Sequence, residues 1–357
     1  MRALAIGIAV ALCLAACGKH PTGRYTAVPS PGAWSGFRDH FNAQGVRFAQ
    51  ISEGGRMRWF FVHLDGSREP ITNLPDGAIV SDINDDNMLT GSVPVAGCSG
   101  DGCVRHAFIW KNGTLQDLGT FGGTSAAART INNQGDVAGS FDRASNPPLR
   151  CATGEPEHHA FLYSGGKFTE LTGPAGYCGL ANNLNDAGDV TVEFVGLGTD
   201  GKRRVVREVY GQGSVKVRVD GKDNYFDFID ASGDIVGFSD KPDGYDAAAL
   251  FHDGKTELLD QTDNWRSEAN WTNAAGVTVG FAYIGPAHEG TAHAVVFQDH
   301  KVIDLNPLID WSAEDRSKHL LATIAFSVSK QGDILCSVLD ANGDKAGLYV
   351  LRPETGD

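Results

Sequence analysis

Short apolar runs separated by asparagine, aspartate and glycine fill nearly the whole chain, the pattern of β-strands joined by tight turns. One turn signature recurs, an Asx-x-x-Gly tetrad followed by a β-branched or aliphatic residue. It reads Asn42–Gly45, Asn84–Asn87, Asn132–Gly135, Asn185–Gly188, Asp230–Gly233, Asn273–Gly276 and, degenerate, Ser329–Gly332. Its fourth positions are spaced by 42, 48, 53, 45, 43 and 56 residues, which marks a repeated supersecondary unit. The leading side chain suits the first position of a type I turn, because it bonds backbone amides two residues on. The glycine supplies the left-handed conformation, and Asn87 is the next best residue for it.

Between successive tetrads lies a second turn. Asp65-Gly66, Asn112-Gly113, Gly165-Gly166, Gln212-Gly213, Asp253-Gly254 and the weaker Asp299-His300 each separate two apolar runs, as two-residue hairpins do. Each unit therefore holds two hairpins, or four strands. A four-stranded unit that is apolar on both faces cannot bury itself, whereas radial repetition covers both faces. The expectation is an all-β fold, a β-propeller of seven four-stranded blades, with six or eight as alternative counts.

Ring closure makes a demand on the ends. The last unit stops at its third strand, Gly347 to Leu351, and Tyr25 to Val28 is the available fourth. This closure puts the segment before each tetrad innermost. Three residues before the Asx position stand Asp39, Ser81, Arg129, Asn182, Asp227, Asn270 and Phe326, a ring that is polar in all but the last. Asp39, Arg129 and Asp227 are thus candidate ligand-binding residues at the channel mouth, with structural satisfaction of backbone groups as the competing role. Tyr177 and Trp265, like Trp34, fall in inter-blade loops as candidate stacking surfaces. Trp271, inside an inner strand, reads as core.

His106-Ala107-Phe108-Ile109-Trp110, His159-Ala160-Phe161-Leu162-Tyr163 and His293-Ala294-Val295-Val296-Phe297, with Asp117-Leu118-Gly119-Thr120-Phe121-Gly122-Gly123, resemble the HAF repeats of bacterial extracellular proteins. The resemblance covers roughly residues 36 to 351 and weakens at Val206-Arg207-Glu208-Val209-Tyr210. It implies a repeat fold and export, and brings no catalytic residues with it.

The N-terminus reads as an address. Arg2 precedes an apolar run, Ala3 to Ala16, too short to span a bilayer, and Leu14-Ala15-Ala16-Cys17 resembles a bacterial lipobox. The expected division is a signal peptide over 1–16, a tether over 17–23 lipidated at Cys17, a propeller over 24–351 and a tail over 352–357. Gly18 in place of aspartate favours an outer-membrane anchor, on the periplasmic side or at the cell surface. An ordinary signal peptide cleaved after Ala16 is the alternative.

Of seven cysteines, five remain after Cys13 leaves with the signal and Cys17 takes lipid. Cys98 and Cys103 can pair within one loop, and Cys151 and Cys178 lie in loops that emerge on one face of the meander. Cys336 reads as a free thiol in a buried strand. The net charge of −14 argues against nucleic acid or anionic lipid as a partner.

No cofactor or metal is expected. His158 and His159 alternate across a strand, and Asp340 to Asp344 lacks the downstream glutamate of a calcium loop. The reading that results is a monomeric envelope lipoprotein, non-catalytic, binding a protein or glycan through one face. The alternative is a propeller enzyme acting on glycans with carboxylates at the channel mouth.

Overall fold

The computed structural model describes residues 23–354 other than 33–38, 96–97, 99–101, 144–150, 152–156, 212, 221–223, 243, 253–254, 263–265 and 286–289. The lipobox, Trp34 and Trp265 lie outside the described residues, as does the side chain of Asp227.

Seven antiparallel sheets follow one another around a ring. In blade 1 the described strands are Val46–Glu53, Arg56–His63 and Arg68–Pro70. Blades 2 to 6 have four strands each, their inner strands being Ile79–Ile83, Gly123–Ile131, Cys178–Leu184, Asn224–Ile229 and Ser267–Thr272. Blade 7 is built from Leu321–Val328, Ile334–Leu339 and Lys345–Pro353, and Tyr25–Ser30 pairs antiparallel with the last of these, from Tyr25 opposite Pro353 to Ser30 opposite Leu348. The ring closes through the N-terminal strand, as the ends require.

The outer edge of that strand is itself covered. Ile309–Asp310 pairs parallel with Tyr25 and Thr26, so the closing edge does not face water unpaired. This covering segment belongs to the longest inter-tetrad interval, which also holds the helix Ala313–Ser317, capped by Ser312. The sequence pattern suggests a helix over Ser312 to Leu321; the helix ends sooner because the strand Leu321–Val328 begins there.

Apolar cores lie between blades. Ala138, Ala160, Leu162 and Leu171 of blade 3 pack with Ala181, Val190, Val192 and Phe194 of blade 4. Alanine at the axis permits that approach: Ala128, Ala181, Ala269 and Ala325 are all fully buried.

Both turn signatures take the form their residues suggest. In each tetrad the amide of the fourth residue donates to the carbonyl of the first, at 2.8–3.1 Å, and the fourth residue has positive φ in all seven, Asn87 included. Asn112-Gly113, Gly165-Gly166 and Asp299-His300 are two-residue turns with positive φ at both places. The loop at Asp65-Gly66 is longer, with Leu64–Ser67 between its strands and the His63 amide bonded to the Ser67 carbonyl.

The His-Ala-Phe motif has a local explanation. His106 bonds Asp117 at 2.9 Å, His159 bonds Glu170 at 3.0 Å, and His293 bonds Asp304 at 2.8 Å. Each imidazole ties the third strand of a blade to the fourth, while the alanine after it is fully buried. Where blade 4 lacks the motif, Arg207 pairs instead with Glu193 in the second strand.

Cys98–Cys103 and Cys151–Cys178 are disulfides, and Cys336 is a free thiol, fully buried, whose pKa burial pushes up. Among the described residues no helix is long and apolar enough to cross a bilayer.

Candidate functional site at the channel mouth

The seven tetrads surround one end of the central channel and join their neighbours there. Asn42 Nδ2 donates to the Asn84 carbonyl, Asn84 to Asn132, Asn132 to Asn185 and Asn185 to Asp230, at 2.8–3.1 Å. Asn273 donates likewise to Ser329 at 2.9 Å. Meanwhile each Oδ1 accepts amides of its own turn, as Asn42 does from Gln44 and Val46. Asparagine can do both, since its amide carries an acceptor and a donor, whereas an aspartate carboxylate only accepts. Asp230 and Ser329 keep the turn, accepting from Ser232 and Gln331 respectively, but lack the amide donor.

A second set of contacts decorates one side of the rim. Asp85 accepts from the Ala43 amide, Asn133 from the Asp85 amide and Asp186 from the Asn133 amide, at 2.6–2.8 Å. Asn133 Nδ2 bridges the Asp85 and Asp186 carboxylates at 2.9 and 2.8 Å. The matching positions of blades 5, 6 and 7 are Ala231, Ala274 and Lys330, so the rim is acidic and amide-rich on one side and small or basic on the other.

Within this rim lies a cavity of about 530 Å³, which continues into a neck of about 80 Å³. The neck is lined by the residue two before the Asx position: His40, Asp82, Thr130, Asn183, Phe228 and Trp271. Phe228 and Trp271 stack with ring centroids 3.8 Å apart, and His40 stacks on Trp271 at 4.8 Å. Asp82 is held by the Ile83 and Ile131 amides at 2.9 and 2.8 Å, and His40 Nε2 lies 3.6 Å from it.

The ring of candidates read one residue earlier is not this lining. In blades 2 to 7 the inner strand carries a β-bulge at that residue, Arg129 for instance falling between Ala128 and Thr130 of the ladder. A bulge breaks the two-residue alternation, so the channel-facing place passes to the next residue. Close approach at the bulge explains a glycine on the adjoining strand: a Cβ at Gly280 would stand 1.9 Å from the Glu268 carbonyl oxygen.

Asp39 is 1 % exposed and ion-paired with Arg47 at 3.1 Å. Arg47 in turn bonds Ser30 Oγ and the Pro31 carbonyl, so Asp39 clamps the closing strand to blade 1 rather than facing the mouth. Its phenylalanine counterpart, Phe326, is fully buried. Asn270 donates to the Ala325 carbonyl of the next blade at 2.8 Å, the satisfying role. Arg129 is partly buried and within electrostatic reach of Glu193 and Tyr225. The backbone of Asp227 occupies the bulge of blade 5.

Tyr177 packs against the core between blades 3 and 4, beside Cys178. Trp271, expected in the core, faces the neck as well as packing against the core of blades 6 and 7. Its placement was legible in principle: apolar residues four and one before the Asx position, such as Ala128 and Ile131, are three apart, and that spacing marks a bulge. Cys151, His158 and Cys178 cluster within 4.8 Å, with the two sulfurs joined to each other.

No family model matches the chain, and no curated protein matches it by sequence. Its likeness is to solved propellers. The β-propeller domain of the Trilobed protease from Pyrococcus furiosus is 10 % identical with a TM-score of 0.56, over 93 % of this chain and 94 % of that one. That domain is described as having an open velcro topology, whereas here Tyr25–Ser30 closes the ring. The acylaminoacyl peptidase from Pyrococcus horikoshii is 12 % identical with a TM-score of 0.53, over 93 % of this chain. TolB from Acinetobacter baumannii is 13 % identical with a TM-score of 0.41, over 85 % of this chain. The chain spans 52 % of the peptidase and 61 % of TolB. At these identities the likeness is one of fold, and by fold the chain is a seven-bladed, velcro-closed β-propeller.

Proposed function

We propose that the chain is a cell-envelope lipoprotein whose propeller is a non-catalytic binding module, and that a glycan enters at the tetrad mouth of the channel. The observation that carries this reading is the neck itself. The aromatic surface of Phe228, Trp271 and His40 shares it with Asp82, Thr130 and Asn183. A pyranose has the same two-sided character, with a C–H face that packs on aromatic rings and hydroxyls that need donors and acceptors. Asp82 is held in place by backbone amides and keeps lone pairs for such a hydroxyl.

A glycan array probed with the mature domain tests this reading. Trp271→Ala is expected to lower affinity for the bound glycans by at least about tenfold, the loss of one aromatic stacking contact and its buried area. Unchanged binding by that variant, or binding lost instead through Tyr177→Ala, would move the site to the disulfide-bearing face. The anchor is tested separately. Cys17→Ser is expected to abolish acyl labelling and release the protein from membranes, and a wild-type chain that takes up no labelled acyl group in its host would overturn it.

A further inference from the structure

The neck is two-sided around the ring. Asp82, Thr130 and Asn183, from blades 2, 3 and 4, line one side, and Phe228, Trp271 and His40, from blades 5, 6 and 1, line the other. The three aromatic residues also line the mouth above, whereas the three polar ones line the neck alone. A sugar resting in the mouth on the aromatic side therefore meets the polar side only through what it sends into the neck. Size decides what can enter. A cavity of about 150 Å³ takes one benzene ring, so the neck, at about 80 Å³, takes roughly three or four heavy atoms and not a pyranose ring.

Two polar groups there are open to such a substituent. Thr130 is 2 % exposed, and its hydroxyl has no hydrogen-bond partner among the described residues. A buried hydroxyl on a polar cavity is ordinarily satisfied, so its want of a partner points to a ligand. Asp82 is fixed in place, the Ile83 amide on one oxygen and the Ile131 amide on the other, and each oxygen keeps a lone pair for a further donor. Across from them lie apolar ring atoms. The complement of this arrangement is a small group with one N–H, one carbonyl and one methyl.

We infer that the neck receives the acetamido group of an N-acetylhexosamine whose pyranose ring stays in the mouth. The inference rests on reading the mouth as a glycan site and names the substituent of the sugar. The acetamido N–H donates to Asp82, the Thr130 hydroxyl donates to the acetamido carbonyl, and the methyl packs against Phe228 and Trp271. A carboxylate or phosphate of similar size is repelled by Asp82. An ammonium has no apolar part for the aromatic side, and the Trp271 ring, over which a cation would rest, is already stacked by Phe228 and by His40.

The protein is titrated with the methyl glycosides of N-acetylglucosamine, N-acetylgalactosamine, glucose, galactose and glucosamine, and with acetamide. At least one acetamido sugar is expected to bind at least about tenfold more tightly than its parent hexose, since a hydrogen bond to a carboxylate contributes. Thr130→Val keeps the shape and removes the hydroxyl, so it should cut that preference by about three- to tenfold, with hexose binding and Tm unchanged. Thr130→Ser should keep the preference. Equal affinity for each acetamido sugar and its hexose overturns this inference and leaves the neutral glycan reading standing. Glucosamine binding more tightly than N-acetylglucosamine overturns it in favour of a cation, and acetamide binding as tightly as the acetamido sugars overturns the link to a sugar ring. Failure of every sugar to bind overturns the two readings together. An undiminished preference in Thr130→Val, or a lowered Tm in that variant, shows that the hydroxyl is not held for the ligand and also overturns the inference.

Discussion

Asn132 Nδ2 donates to the Asn185 carbonyl at 3.1 Å while Asn132 Oδ1 accepts the amides of Gln134 and Asp136. One side chain thereby closes a hairpin and joins blade 3 to blade 4. The two roles are separable by substitution. Asn132→Asp keeps the turn and loses the inter-blade donor, at an expected cost of about 1–3 kcal/mol. Asn132→Ala loses both and should cost more. Urea unfolding measures the difference, and equal losses would mean that the inter-blade bond contributes nothing.

Gly280 is required by proximity and Gly276 by backbone conformation, and the two should respond differently to substitution. Gly280→Ala drives a methyl group against the Glu268 carbonyl and should cost about 1–3 kcal/mol or more. Gly276, at φ 76°, tolerates asparagine as the equivalent Asn87 does at φ 56°, so Gly276→Asn should cost less than about 1 kcal/mol. A reversed order of the two Tm shifts would contradict the bulge.

Burial of Tyr25 in the closing strand pushes its pKa up to about 12. The neutral phenol is therefore the form that the fold favours. Its contribution is fully present below the ordinary tyrosine pKa of about 10 and is lost as pH rises toward about 12, by up to roughly 2–3 kcal/mol. The Tyr25→Phe variant lacks this group, so the gap in stability between the two proteins should narrow or change sign across that window. A gap that stays constant with pH would show that Tyr25 does not titrate with folding.

Thiol blocking before proteolysis should recover Cys98 linked to Cys103 and Cys151 linked to Cys178, with Cys336 unlinked and alkylated only after unfolding. Burial both hides the Cys336 sulfur and disfavours its thiolate, the reactive form. Alkylation of Cys336 in the native protein would place it elsewhere than in a closed core.

Deleting residues 19–30 removes the strand that pairs with Lys345–Pro353 and exposes two edges at once, that of Lys345–Pro353 and that of Ile309–Asp310. A pronounced fall in Tm and a gain in aggregation are expected. A truncated protein that melts like the full chain would show that the ring closes without Tyr25–Ser30.

The blades, the closing strand and both disulfides were legible in the sequence because each is written in local chemistry. Turn residues declare hairpins, the missing fourth strand declares its replacement, and paired loops bring cysteines together. The channel lining was not so accessible. Asp39, Arg129 and Asp227 came forward because a strand was assumed to alternate without interruption, and the bulge falls at that residue in blades 3 and 5. The lining therefore passes to Asp82, Phe228 and Trp271. The double duty of the tetrad asparagines was equally hidden, since a turn asparagine and a turn aspartate look alike until the neighbouring blade is in view.

The ring of amide bonds runs without a gap from blade 1 to blade 5 and again from blade 6 to blade 7, with breaks after Asp230 and after Ser329. Mechanically the propeller is two arcs. One joint between them is stapled by Arg47, which grips Ser30 and Pro31 as the N-terminal chain passes from blade 7 to blade 1. The other joint, between blades 5 and 6, is spanned at the channel by Phe228 lying on Trp271. At that joint the buried core of Val236 and Ala248 against Ala269 and Ala282 takes over from the missing amide bond, so the two arcs are held there by apolar packing and at the other joint by a buried ion pair.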